Sequence, residues 1–330
     1  ERVAAMCDEY RSGYGNPAKL IFATIMDASR GLQHSRMGSG SELKNILQSA
    51  QKNLIAPDKA RVACQGVPGA FSNQAAARLF PGCIPRFVET FPDVFSAVEK
   101  GEADYGILPV ENSSSGSVHE VYDLIIKHRF FIVAAAEIPV NHCLLALPGA
   151  KVEELKTVYS HPQALAQCAE LISALNLEAR PYVNTAAAAQ MVAQKGDNTI
   201  CAIASSNAAS LYGLEVLKEN IQSAENNSTR FIAISRDLII PPDANKISLI
   251  FSLPHVTGSL YRILSRFAVA GLNLTKLESR PTRSGSFEYL FYLDFEGDFG
   301  SPDTLNLICA LSEELPAFSF IGNYRELETL

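Results

Sequence analysis

From Ala60 onward the chain repeats one plan: a short apolar run, a polar loop, then an alanine-rich helical stretch. "RVAC" leads into "GVPGAFSNQAAARLF", and "YGIL" into "PVENSSSGSV" and a helical pattern over about 118–127. "TVYSHPQALAQCAELISAL", "ARPYVNTAAAAQMVAQ" and "TICAIASSNAASLYGL" follow the same order. Strand-length runs alternating with helix-length patterns predict α/β organisation around a mostly parallel sheet. In such sheets the polar loops gather at the carboxyl ends of the strands, against helix N-termini, where ligands bind.

The rhythm changes on both sides of this region. After "PPDAN" (241–245) come a strand, a helix, two strands, a helix with Ser301 as N-cap and Pro302 at its first position, and a closing strand. The order βαββαβ is ferredoxin-like. The first 35 residues read as helices, with Asn16 as N-cap and Pro17 at the first helical position of the second. "GSGS" breaks that pattern before a further helix over about 42–54. The expected division is a helical segment over 1–54, an α/β domain over 60–240 and a ferredoxin-like domain over 245–330.

Bulk properties exclude several classes. The net charge of −7 disfavours nucleic acid as a partner. No apolar run reaches the roughly 18 residues that span a bilayer, so no membrane partner is expected. The seven cysteines are odd in number, scattered and without a C-x-x-C pair, so neither a disulfide framework nor a metal site is expected. Free thiols point to a reducing compartment, read here as the cytoplasm. Two overlapping N-x-[ST] patterns start at Asn226 and Asn227, and in such a compartment they are an accident of composition.

The loops supply the chemistry. In "ENSSSGSV", Asn112, Ser113 and Ser114 offer hydroxyl, amide and backbone donors before a helix, fit for a carboxylate or for simple capping. Glu111 is the one acid among these loops, a general acid if buried and otherwise a structural acceptor. Ser160 and Gln167 are neutral donors around "YSHPQALAQC", where His161 reads as a cap. His119, His128, His142 and His255 carry no role. In "NNSTRF", Thr229 offers a hydroxyl, Arg230 a fork suited to carboxylates, and Phe231 starts an apolar run. G-x-G-x-x-G, P-loop and G-x-S-x-G patterns are absent.

Taken together, "GVPGAFSNQAA", "LPVENSSSGSV", "SHPQALAQC", "AIASSNAASLYGL" and "NNSTRF" resemble the motifs of prephenate dehydratases, in that family's order, from about Arg61 to the chain end. The resemblance implies a two-lobed catalytic domain like a type 2 periplasmic binding protein, with prephenate as substrate and no cofactor. It implies loss of CO2 and the ring hydroxyl to give phenylpyruvate. Thr229 matches the catalytic threonine, with Asn112, Ser113, Ser114, Ser160, Gln167 and Arg230 in orienting roles. "GSL" (Gly258, Ser259, Leu260) and "ESRP" (Glu278, Ser279, Arg280, Pro281), with Asn273 and Leu274, resemble the phenylalanine-binding motifs of a regulatory ACT domain. That domain implies a dimer or tetramer. "NPAKLIFATIMDASRGLQHSR" resembles the last helices of an AroQ-type chorismate mutase, with Ser29 and Gln33 at substrate-contacting positions. The readings set against prephenate dehydratase are arogenate dehydratase and a non-catalytic solute-binding protein.

Overall fold

A computed structural model describes residues 1–37, 41–223, 227–281 and 289–327, and these fall into two compact units. The larger runs from Leu54 to Leu238 and takes in the chain end from Glu326. The smaller joins Glu1–Asn53 to Ile239–Arg325.

In chain order the larger unit contains strands β1 Val62–Gln65, β2 Arg86–Val88, β3 Tyr105–Asn112, β4 Gly116–Ser117, β5 Phe131–Pro139, β6 Cys143–Ala146, β7 Thr157–Ser160, β8 Glu178–Pro181, β9 Ile200–Ala204, β10 Glu215–Lys218 and β11 Ser228–Ser235. They form two sheets. One has the order β5-β11-β3-β1-β2 with β4 beside β3, and the other β10-β6-β9-β7-β8. The central strands are apolar on both faces because helices cover both: Val62, Ala63 and Cys64 are buried, as is every residue of β9.

Within this unit β2-β1-β3 and β8-β7-β9 pair in parallel. β11 runs antiparallel to both β3 and β5, and β6 antiparallel to β9 and β10. This corrects the mostly parallel pairing expected from the alternation. The reason lies in the crossings. β5 passes straight into β6 of the other sheet through Val140, Asn141 and His142, and the chain returns from β10 to β11. Strands entered by such direct crossings are not bound to the parallel sense that a crossover helix imposes.

The smaller unit adds β12 Lys246–Leu253, β13 Leu274–Pro281, β14 Tyr289–Glu296 and β15 Ser319–Leu327, which begins there. These strands stand in the order β13-β14-β12-β15, all antiparallel, with helices Ser259–Val269 and Pro302–Glu314 between them in the chain. This is the ferredoxin-like arrangement. Ser301 is the N-cap residue and Pro302 opens the second helix, although the Ser301 side chain makes no cap bond.

The N-terminal helices belong to the same unit. Helix Gly15–Met37 packs on both ferredoxin-like helices and helix Ser41–Ser49 on the second of them. The second helix starts at Gly15, one residue before the expected cap Asn16. Asp8 accounts for the difference, because its carboxylate accepts from the backbone N–H of Gly13 and Gly15. Among the described residues, no helix is long and apolar enough to cross a membrane.

Candidate active site

Between the two sheets of the larger unit lies a cleft of about 400 Å³. One wall comes from the loop after β1, from Pro109 and Asn112 on β3, and from Thr229 and Phe231 on β11. The other comes from His142, His161, Gln163 and Gln167. Phe71, Phe91 and Phe231 supply aromatic surface. Apart from its imidazoles, the described lining consists of neutral side chains.

The loop "GVPGAF" binds the two lobes of this unit together. Gly69 adopts φ +84°, and a β-carbon there would come 3.3 Å from the Ala208 α-carbon, so glycine suits both the turn and the approach. Ser205 Oγ donates to the Gly69 carbonyl and Tyr212 Oη to that of Pro68.

A β-bulge places the central pair. Thr229 is registered opposite Asn112 and Arg230 opposite Glu111, yet Phe231 is registered opposite Pro109. Val110 is therefore the extra residue on β3. Without it, Pro109 and Asn112 would alternate to opposite faces of the sheet. With it both line the cleft, and Asn112 meets Thr229.

The orientation of the Asn112 amide follows from its neighbours. Its Oδ1 accepts from the backbone N–H of Ser114 and Ser115, groups that can only donate, at 3.1 Å each. Its Nδ2 therefore faces Asn227 Oδ1 at 2.9 Å, the Ser228 carbonyl at 3.0 Å and Thr229 Oγ1 at 2.9 Å. Thr229 Oγ1 accepts this hydrogen bond, which leaves its own hydrogen for another partner.

The network continues into the other lobe. Asn227 Nδ2 donates to Gln167 Oε1 at 3.2 Å, and His142 Nε2 stands 3.0 Å from the same oxygen. An acceptor there puts the imidazole proton on Nε2 and leaves the buried Nδ1, which has no hydrogen-bond partner among the described residues, as a lone pair. Ser114 Oγ donates to Asn227 Oδ1. Asn227 is buried in this network, which removes the second of the two glycosylation patterns as a surface acceptor. Asn226 lies outside the described residues.

His142, expected to be without a role, lies in the cleft beneath the Phe71 edge. Burial lowers its pKa below the ordinary histidine value. The fold thus prefers the neutral ring, whereas the unfolded chain takes up a proton near pH 6.5. The contribution is fully present above that pH and lost as the pH falls below it. His161, exposed at the cleft edge, is shifted in the same direction by its partial burial. Melting temperature should therefore fall between pH 7 and pH 5, and His142→Gln should make the fall shallower. A His142→Gln profile parallel to the parental one would contradict this reading.

The remaining candidates divide. Ser115 and Gln163 join the cleft network, with Gln163 Nε2 2.8 Å from Ser115 Oγ. Neither was singled out from the sequence. Ser113 ties the loop to β11, its Oγ accepting from the Ser228 N–H. Helix His119–His128 begins without a serine side-chain cap. Ser160 is fully buried and donates to the Ile203 carbonyl at 2.6 Å. His161 caps its helix, as expected, by accepting from the Gln163 N–H. Glu111 and Arg230 are cross-strand neighbours outside the cleft lining.

In the smaller unit, Ser259 and Leu260 line a cavity of about 330 Å³ with His255, Thr257 and Tyr289, and Gly258 caps the adjoining helix at φ +83°. Asn273 precedes β13 and donates to Glu296. Leu274, Glu278, Ser279, Arg280 and Pro281 lie on β13, where Glu278 pairs with Lys276. Ser29 is exposed on helix Gly15–Met37, and the side chain of Gln33 lies outside the described residues.

Two lobes that clamp a polar cleft, joined by short strand crossings, define a two-lobed α/β fold of the periplasmic-binding-protein type. The prephenate dehydratase family model matches residues 62–239. The chain belongs to that family. Arogenate dehydratase/prephenate dehydratase 1, chloroplastic, of Arabidopsis thaliana is 42% identical over 282 residues, covering 81% of this chain and 72% of its own. The prephenate dehydratase of Arthrobacter aurescens, solved in complex with L-Phe, superposes with TM-score 0.73 at 29% identity, covering 80% of this chain and 89% of its own. GqqA, described as a novel type of quorum quenching acylase, superposes with TM-score 0.73 at 34% identity, covering 81% of this chain and 98% of its own.

These relatives correct the cytoplasmic expectation. The Arabidopsis relative is named as chloroplastic, and free thiols define a reducing environment without defining which compartment provides it. Burial holds Cys64, Cys168 and Cys201 as thiols, with pKa values pushed up to about 12.

Proposed function

We propose that the cleft converts prephenate to phenylpyruvate, CO2 and water. The carrying observation is the Asn112–Thr229 hydrogen bond at 2.9 Å, which makes the threonine oxygen an acceptor and leaves its hydrogen available to the cleft. The ring carboxylate leaves as CO2, and its bonding electrons pass into the ring as it becomes aromatic. The carbon–oxygen bond across the ring breaks, and the departing hydroxyl takes a proton to leave as water. Thr229 is too weak an acid to ionise near neutrality, so it donates a hydrogen bond to that oxygen and passes on a proton drawn from solvent. Neutral donors on Ser115, Gln163 and Gln167 orient the anionic substrate without holding either carboxylate as a fixed ion pair. The phenylalanine walls face the ring.

An arogenate substrate differs by an amino group in place of the side-chain keto group, and the name of the Arabidopsis relative joins both activities. The acylase description of GqqA finds less support here. An acyl-transfer nucleophile needs a base beside it, and Thr229 Oγ1 faces an amide that donates. The deciding experiment measures kcat/KM for prephenate and arogenate side by side. We expect turnover of prephenate at a rate at least equal to that of arogenate; turnover of arogenate alone would reassign the substrate.

The ferredoxin-like unit is proposed to act as an ACT domain that binds phenylalanine at the Ser259–Leu260 cavity and lowers turnover, in a dimer or tetramer. The N-terminal helices are proposed to derive from a chorismate mutase of a bifunctional enzyme.

A further inference from the structure

Arg230 follows Thr229 in the chain, but strand alternation carries it to the other face of β11. Pairing with β5 is regular through this stretch, Thr229 opposite Ile138, Arg230 opposite Glu137 and Phe231 opposite Ala136. On the reverse face Arg230 therefore stands in register between Glu137 on β5 and Glu111 on β3. Its Nε donates to Oε1 of Glu326, at the end of β15 and within the same compact unit. Both side chains of this pair are largely buried, at 14% and 17% exposure. Ser228 Oγ donates to Glu137, so the residues on either side of Thr229 are both tied to carboxylates on this face.

A buried ion pair fixes geometry more reliably than it adds stability, since desolvation offsets most of the attraction. Here the fixed object is the backbone on both sides of the catalytic threonine. We infer that Arg230 is a positioning residue: held by Glu326 on the reverse face, it keeps Thr229 Oγ1 against Asn112 and does not bind the substrate anion. This rests on the dehydratase reading of the cleft and goes beyond it, because it assigns anion recognition to the neutral donors and alignment to the guanidinium. Glu326 then affects turnover from behind the sheet, without touching substrate.

Steady-state kinetics of Glu326→Gln and Arg230→Lys on prephenate test the assignment. Small misplacements of a reacting group cost up to about 100-fold in rate, so kcat should fall by about tenfold or more while KM stays within about twofold. The Arg230→Gln/Glu326→Gln double variant should lose no more than Arg230→Gln alone, because the two act as one unit. Glu326→Gln with the parental kcat overturns the role of the pair, as does Arg230→Lys with a KM raised about tenfold at unchanged kcat. Should Glu326→Gln fail to fold, Glu326→Asp carries the same reading: a loss in kcat at constant KM supports it, and an unchanged kcat overturns it. A parental chain inactive on prephenate and arogenate would remove the dehydratase reading itself, whereas an active parent with an identical Glu326→Gln removes only this inference.

Discussion

Thr229→Ala should lose turnover of prephenate by about 10²–10⁴-fold, the range for one positioned proton donor, while keeping most of its affinity for the substrate. Thr229 is one polar group among the aromatic and amide surfaces that line the cleft, so deleting its hydroxyl leaves most of that lining in place. What it removes is the hydrogen that Asn112 leaves free by donating to the same oxygen. Thr229→Ser restores a hydroxyl on the same strand and should recover part of the rate, less completely because serine rotates more freely about χ1. Single-turnover kinetics with calorimetric binding separates the two effects. Turnover of Thr229→Ala at the parental rate would show that the leaving oxygen draws its proton elsewhere.

Asn112→Asp should be more damaging than its isosteric shape suggests. At this position Nδ2 faces three acceptors: Asn227 Oδ1, the Ser228 carbonyl and Thr229 Oγ1. A carboxylate oxygen there has nothing to accept from except the Thr229 hydroxyl, which would turn its hydrogen away from the cleft. Two results follow. Turnover falls by about 100-fold or more, through the same lost donor as in Thr229→Ala. Stability falls as well, because an acceptor facing acceptors in a buried site costs about 1–3 kcal/mol, and more when charged. For a unit of this size each kcal/mol lowers the melting temperature by about 2–4 °C. Circular-dichroism melts and steady-state rates measure the two, and an Asn112→Asp chain with the parental melting point would contradict the amide orientation derived from Ser114 and Ser115.

The motifs told much about this site because they sit where the fold concentrates its polar groups. Asn112 at the end of an apolar run, Thr229 just before one and Gln167 in a helical stretch were each legible as donors, and the structure joins them through Asn227. What the letters could not carry was pairing. Whether Arg230 faces the cleft or the reverse of β11 depends on which strands flank it and in what register, and neither is written in a hexapeptide. The extra residue at Val110 is invisible for the same reason, although it decides that Pro109 and Asn112 share a face while Glu111 goes to the other. Ser160 looked like a cleft donor from its place after a strand. Yet it is the last residue of β7 and turns inward to the Ile203 carbonyl.

His142 had a weak signal. It stands in a three-residue link between β5 and β6, both rich in buried apolar residues, and such a short link between sheets leaves little room for a side chain that faces solvent. The ferredoxin-like order was legible from βαββαβ spacing alone. The attachment of the N-terminal helices to that unit was not, because an amphipathic helix announces that it has a partner without naming it.

The most direct test of the account is the stoichiometry of a single incubation of the purified chain with prephenate, with released CO2 and phenylpyruvate both quantified, the latter by the absorbance of its enol in alkali. The account predicts equal amounts of the two, accumulating over many turnovers and forming about 10²–10⁴-fold more slowly in Thr229→Ala. Recovery of prephenate bound and unchanged, with neither product above the spontaneous background, would contradict it and leave the cleft as a binding site without this chemistry.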